Sequence, residues 1–358
     1  MNSIRHTIRS VVAPRQVGYL ILYVTNRCNF RCNFCFYYAE IEKGRKPNEM
    51  TIEEIERLAR AIGPLTQLSL TGGEPFLRKD LDKVYSLFAE HAHARYVTIP
   101  TNASMPDRMV KFLETILPQH PDTYLRLTFS IEGIGEQHNR VRSMPGSFDN
   151  IVKSYEAISP LRKRFKNLVL DANSCYSADT ENHLEDTFRT LDRDFDFDNL
   201  SMTYARGDIK DPSLQRMSED RYIRINEFLE SAQRKKESRL LYPIWRGVRD
   251  VSRRNLIRTV FHDEFVTPCV AGRKLIVVSE TGEVRPCEVL DRTMGNLRDY
   301  DFDLYRLLAE KENEELRRWI VDSKCKCSFE CALAANVVWN ASAYPELITS
   351  ALRNIGRD

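Results

Sequence analysis

Six short runs rich in apolar and β-branched residues, separated by stretches of helical periodicity, constrain this chain more than any other feature. They fall near 18 to 25 (GYLILYVT), 66 to 71 (TQLSLT), 96 to 101 (YVTIPT), 124 to 131 (YLRLTFSI), 167 to 174 (NLVLDANS) and 198 to 204 (DNLSMTY). The first intervening helix is expected at MTIEEIERLARAI, where Thr51 and Glu54 have capping-box spacing and Ile52, Ile55, Leu58 and Ile62 share a face. Further helical patterns occupy 79 to 91, 106 to 116, 148 to 159, 180 to 193 and 218 to 236. Strands joined by helices at this spacing run parallel, so the series predicts an α/β fold, a partial (βα)6 TIM-like barrel. Ligands of such folds sit at the C-terminal strand ends.

The alternation stops near residue 236. A basic segment, Arg234 to Arg258, carries nine Lys or Arg against two acids; it reads as a solvated helical connector or as a face for a phosphate or carboxylate. After it, KLIVVSETGEVRPCEVL reads as a β-hairpin with Thr281 and Gly282 in the turn, followed by helical stretches near 302 to 320. The expected organisation is an N-terminal extension (1–16), a core (17–236), a basic helical linker (237–266) and a small C-terminal α+β domain (267–358). A net charge of +2 with 42% apolar residues suits a soluble enzyme and gives no sign of nucleic-acid binding. The longest apolar runs, such as YLILYV, are too short for a membrane span, and the first residues lack a signal-type apolar region, so a cytoplasmic location is expected.

Nine cysteines, at 28, 32, 35, 175, 269, 287, 325, 327 and 331, form two clusters and an outlier. In a reducing compartment such clustering reads as metal binding before disulfides. CNFRCNFC, Cys28 to Cys35, directly follows the first strand. Three thiolates on one loop can cover one face of an iron–sulfur cubane, which four cysteines normally complete, leaving one iron for another ligand. The competing reading is a structural zinc loop completed by a distant residue.

Cys28, Cys32, Phe34 and Cys35 match CxxxCxΦC (Φ aromatic), and here the chain resembles the radical S-adenosylmethionine (SAM) superfamily. The resemblance implies a SAM-binding [4Fe-4S] cluster on the three cysteines, with Phe34 beside the bound SAM. Reduction then cleaves SAM to a 5′-deoxyadenosyl radical that abstracts hydrogen from an unactivated C–H bond. Gly72, Gly73, Glu74 and Pro75 match the family's GGEP, implying close backbone approach to SAM and a carboxylate for its ammonium. Ser130 and Arg142 match ribose and carboxylate contacts, with Glu132 where the family often has aspartate; Thr101 with Asn102, and Asn173, match further contacts. These polar residues also read as ordinary strand-end positions.

Cys269 and Cys287 flank the hairpin as Cx12Gx4C, and Cys325, Cys327 and Cys331 follow in the tail. The pattern, with GNLR at 295 to 298, resembles the Twitch and SPASM auxiliary-cluster domains of radical SAM enzymes. Five thiols cannot fill two cubanes, so the resemblance implies one auxiliary [4Fe-4S] cluster on Cys269, Cys287 and two of the last three, Cys331 first and Cys325 last. A four-cysteine zinc site is the alternative.

Cys175 lies two residues past Asn173, on the same face by strand alternation. It is a candidate hydrogen donor to a substrate radical, or a small buried apolar residue. Tyr37, Tyr38, Tyr204 and Arg206 are candidate substrate contacts or rim packing. The expected activity is radical chemistry on a small molecule, since the first strand begins near residue 18 and leaves little room for a preceding peptide-recognition domain. Maturation of a ribosomally made peptide, a non-catalytic electron carrier and a zinc-braced binding protein are the rivals. A flavodoxin- or ferredoxin-type reductant is the expected partner.

Overall fold

A computed structural model describes residues 13, 15–44, 48–233 and 242–355. The six expected strands form β1 (Tyr19–Thr25), β2 (Gln67–Gly72), β3 (Tyr96–Thr101), β4 (Tyr124–Ser130), β5 (Leu168–Tyr176) and β6 (Asn199–Tyr204). They are hydrogen-bonded in chain order and all parallel. One set of alternate side chains, including Leu68, Leu70, Val97, Ile99, Leu125 and Leu127, is buried in a single apolar core. The other set is polar: Thr71, Thr98, Thr128, Ser130, Asn173, Ser201 and Thr203 are all partly exposed. A closed barrel fills its interior with bulky branched side chains. A hydroxyl-and-amide lining instead leaves this sheet's concave face able to hold water or ligands.

Helices cover the outer face: α1 (Ile52–Ile62), α2 (Leu81–His91), α3 (Pro106–Gln119), α4 (Ser147–Ile158), α5 (Leu184–Asp194) and α6 (Glu219–Gln233). The capping box at Thr51 and Glu54 forms, and Ile55, Leu58, Ala59 and Ile62 are the buried face of α1. α5 starts four residues later than its periodicity suggests, because the Thr180 hydroxyl takes the Ser177 N–H at 2.9 Å and holds a turn there.

The basic segment differs from its expected form. Residues 234–241 lie outside the described part; the rest is α7 (Tyr242–Val260). It is packed, not solvated: Val251 and Leu256 are buried, and Arg253, Arg254 and Arg258 pair with Glu230, Glu346 and Glu264.

The expected hairpin is present as β7 (Leu275–Val278) and β8 (Glu283–Arg285), with Gly282 at φ +83° in the turn. β7 pairs parallel with β1, from Tyr19↔Leu275 to Leu22↔Val278. β9 (Gly295–Asn296) adds to β8, so one nine-stranded sheet runs β6-β5-β4-β3-β2-β1-β7-β8-β9. Its two edges, β6 and β9, do not pair, which leaves the barrel open.

Among the described residues, a five-residue helix (Leu304–Leu308) and three longer helices follow β9: α8 (Lys311–Asp322), α9 (Glu330–Trp339) and α10 (Tyr344–Ile355). α9 carries no single apolar stripe because Ala332, Leu333, Ala335, Val337 and Trp339 are all buried. Tyr19, Ile21, Tyr23 and Val277 pack with its Ala332, Ala335 and Trp339, so α9 occupies the concave side beneath β1 and β7. The fit is close enough that a Cβ at Gly18 would stand 2.5 Å from the Trp339 ring.

Candidate cofactor site

The cysteine loop leaves the C-terminal end of β1 and is stitched to the end of β2. Gly73 N–H donates to the Thr25 carbonyl at 2.9 Å and Glu74 N–H to the Arg27 carbonyl at 2.7 Å. Neither glycine could carry a side chain there. A Cβ would lie 2.2 Å from the Thr25 oxygen at Gly72, whose φ is +147°, and 2.1 Å from the Arg27 oxygen at Gly73. Both glycines thus lie against the backbone of the cysteine loop.

Glu74 caps a short 3-10 turn beginning at Pro75 and is 1% exposed. One carboxylate oxygen accepts from the Thr101 hydroxyl at 2.8 Å and Phe76 N–H at 3.2 Å; the other accepts from Asn102 N–H at 2.8 Å. Burial outweighs these bonds and pushes its carboxyl up to about 7. Asn102 also donates to Asn29 at 2.9 Å, so β3 grips the cysteine loop.

Burial pushes the Cys28 thiol up to about 11 and the Cys35 thiol up to about 12. Cys35 N–H donates to the Cys32 carbonyl at 3.2 Å, curling the loop. Cys32 is buried, with Arg142 Nη1 3.7 Å from its Sγ. The same guanidinium lies 5.2 Å from the Phe34 ring and donates through Nη2 to Glu132 at 2.5 Å. The second Glu132 oxygen accepts from Cys175 N–H at 2.6 Å. The Cys175 side chain packs with Phe34, Phe36 and Ala205. Ser130 is the register partner of Asn173. Asn173 is engaged within the sheet lining, donating to Thr203 at 3.1 Å and accepting from Ser201 at 3.0 Å.

Three soft thiols on one loop, with a cation against one of them and no fourth cysteine on the loop, are a donor set suited to an iron–sulfur cubane with an open iron. Among the described residues no three His, Cys, Asp or Glu side chains converge closely enough for a single metal ion. A cubane binds each thiolate to a different iron, so its ligands stand further apart.

Sequence reasoning named Tyr37, Tyr204 and Arg206 but missed Tyr23 and the acidic partners that gather them into a second polar group. Tyr23 donates to Glu288 at 2.7 Å, and Arg206 Nη2 to the other Glu288 oxygen at 2.8 Å. The Arg206 guanidinium lies between Phe36 at 4.9 Å and Phe329 at 4.8 Å. Glu330 accepts from Tyr204 N–H, and burial pushes its carboxyl up to about 7. Tyr37 donates to Glu280 and its ring sits 4.4 Å from that of Tyr23; Tyr38 opens a helical turn. The available signal was adjacency, since Glu288 follows Cys287 and Glu330 precedes Cys331.

The C-terminal thiols gather near the hairpin and the start of α9. Cys269, Cys287 and Cys325 each lie near enough to Cys327 to raise its pKa, which with burial reaches about 12. Cys269, Cys325 and Cys327 also border one cavity, with Thr267 and Asn336. Cys331 meets Tyr19, Arg206 and Glu288 and packs in the same cluster as Cys269, Cys287 and Cys327. α9 begins at Glu330 and turns Cys331 towards β1.

With this geometry in view, residues 22–191 match the model of the Radical SAM superfamily. These residues are a radical SAM domain. A GTP 3′,8-cyclase of Stenotrophomonas maltophilia (strain K279a) is 42% identical over 96 residues, 26% of this chain and 29% of that protein. A GTP 3′,8-cyclase of Clostridium botulinum (strain Okra / Type B1) is 29% identical over 144 residues, 40% of this chain and 43% of that protein. The chain therefore spans less than half the length of these curated relatives. Among solved structures, native anSMEcpe with bound AdoMet superposes with a TM-score of 0.58 at 19% identity, covering 94% of this chain and 98% of that one. Streptococcus suis SuiB bound to S-adenosylmethionine gives 0.61 at 15% identity, covering 89% and 72%. Both are likenesses of fold. No helix among the described residues is long and apolar enough to cross a membrane.

Proposed function

We propose that the chain binds SAM at the Cys28–Cys32–Cys35 loop, cleaves it reductively, and uses the resulting 5′-deoxyadenosyl radical to abstract hydrogen from a small molecule held against the polar concave face. The observation that carries this reading is the stitched loop. Gly73, Glu74 and Asn102 fix the three cysteines at the mouth of a sheet whose inner side chains are hydroxyls and amides. The bound cofactor supplies the radical chemistry; the chain supplies position and exclusion of water. Glu74 and Arg142 present a carboxylate and a guanidinium beside the loop. Ser130 and Asn173 stand on the adjacent strands.

A small molecule is favoured over a polypeptide because α9 already occupies the concave side beneath β1 and β7. Cys175, packed on Phe34 and Phe36, is the candidate to return a hydrogen atom to the substrate radical. Cys269, Cys287, Cys325 and Cys327 are the candidate ligands of one auxiliary cluster, and a flavodoxin- or ferredoxin-type protein is the candidate reductant.

Incubation of the reduced protein with SAM and specifically deuterated candidate metabolites tests the reading. Deuterium in 5′-deoxyadenosine is the expected result with a small molecule. Transfer only from a ribosomally made peptide would replace the small-molecule assignment with peptide maturation.

A further inference from the structure

Arg142 and Glu132 match positions that, by resemblance, contact the SAM carboxylate and ribose, yet both are engaged elsewhere. We propose that they form a tuning pair that sets the reduction potential of the cluster on Cys28, Cys32 and Cys35. The proposal rests on the reading of that loop as the SAM-binding cluster site.

The geometry is a chain of contacts. Arg142 Nη1 lies 3.7 Å from Cys32 Sγ, within hydrogen-bond reach for sulfur. Its Nη2 donates to one Glu132 oxygen at 2.5 Å, and the other Glu132 oxygen accepts from Cys175 N–H at 2.6 Å. The Arg142 and Glu132 side chains are 11% and 1% exposed, so water screens them little. The backbone of Glu132 is held on both sides: its N–H donates to His138 Nδ1 at 3.0 Å, and its carbonyl stands 2.9 Å from His183 Nε2. Glutamate in place of aspartate follows from this span, since a carboxylate one methylene shorter reaches less readily both the guanidinium and the β5 backbone.

The electrostatic consequence has a sign. Reduction adds one electron, and hence one negative charge, to the cluster and its thiolates. A guanidinium hydrogen-bonded to Cys32 stabilises that charge and raises the potential, since hydrogen bonds to ligand sulfurs are among the levers that set it. Glu132 opposes part of the field while fixing the guanidinium in place. Removing the cation and neutralising the anion should therefore move the potential in opposite directions.

The test is EPR-monitored potentiometry of the anaerobically reconstituted full chain, following the signal that SAM perturbs, alongside iron content and SAM binding. Arg142→Met is expected to make reduction at least tenfold less favourable, 59 mV for one electron. Arg142→Lys, which keeps the charge but loses the two-pronged contact, is expected to shift the potential in the same direction as Arg142→Met but by less, and Glu132→Gln to move it the other way. SAM affinity is read in parallel, so that loss of a SAM contact is told apart from a shift in potential. If Arg142→Met loses its iron, Arg142→Lys and Glu132→Gln still read the two signs. Shifts of one sign in both charge-removing variants, or unmoved potentials with iron intact, would overturn the pair alone. So would a large loss of SAM affinity at unchanged potential. A parent chain with no SAM-responsive cluster would overturn the underlying reading as well.

Discussion

Arg206 donates to Glu288 at 2.8 Å although the strands they follow, β6 and β8, stand seven places apart in the sheet. In a flat sheet, strands spaced about 4.8 Å apart would separate them by about 34 Å. The contact therefore records how far the sheet curls, and it closes across the open side of the barrel without a backbone pair. Both side chains are largely buried, at 14% and 6% exposure. Glu288→Leu leaves the Arg206 cation without its main partner and should cost about 3–5 kcal/mol. Adding Arg206→Met to it should recover much of that loss, and a double-mutant cycle by denaturant unfolding measures the coupling.

Gly73→Ala should disable the cofactor loop. The added Cβ would meet the Arg27 backbone oxygen at 2.1 Å, and backbone cannot turn aside as a flexible side chain can. A loss of about 3 kcal/mol or more is expected from such a clash, together with poor iron incorporation at the three-cysteine loop.

The proposed auxiliary ligand set, with Cys325 inside it and Cys331 outside, predicts unequal variants. Two cubanes hold about eight irons. Cys325→Ser should lose the auxiliary signal and fall towards half that iron, whereas Cys331→Ser should keep both. Iron analysis with low-temperature EPR distinguishes these outcomes, and the reverse ranking would return Cys331 to the ligand set.

His138 makes stability depend on pH. Burial, with a smaller contribution from Arg142, holds its imidazole down at about 3, and its Nδ1 accepts from Glu132 N–H. The unfolded chain takes up a proton near the ordinary value of about 6.5 while the folded chain does not, so stability present above that pH is lost as pH falls below it. Between pH 7.5 and 5.5 this single group should remove about 1.3 kcal/mol. His138→Gln should lower stability at pH 7.5 and flatten its decline, read as thermal midpoints of both proteins at the two pH values.

Much of the barrel is legible from the chain because its signals are local. The capping box at Thr51, the alternation in YLRLTFSI and the CxxxCxΦC spacing each lie within a dozen residues or so. What was not legible depends on packing between distant segments. α9 shows no stripe because it is enclosed, and the pairing of Leu275 with Tyr19 joins residues more than 250 positions apart. The glycine motif was legible as a place of close approach, and its packing against the Thr25 and Arg27 backbone appears only in the folded chain. Glu132 was legible as a departure, and only its contacts with Arg142 and Cys175 show what the longer arm reaches.

The central claim, reductive SAM cleavage at the Cys28–Cys32–Cys35 loop, is tested most directly by quantifying 5′-deoxyadenosine from the anaerobically reconstituted chain with SAM and dithionite. The account predicts that 5′-deoxyadenosine forms with the parent chain and disappears with Cys32→Ala. A parent chain that holds a reducible cluster yet yields none would contradict it.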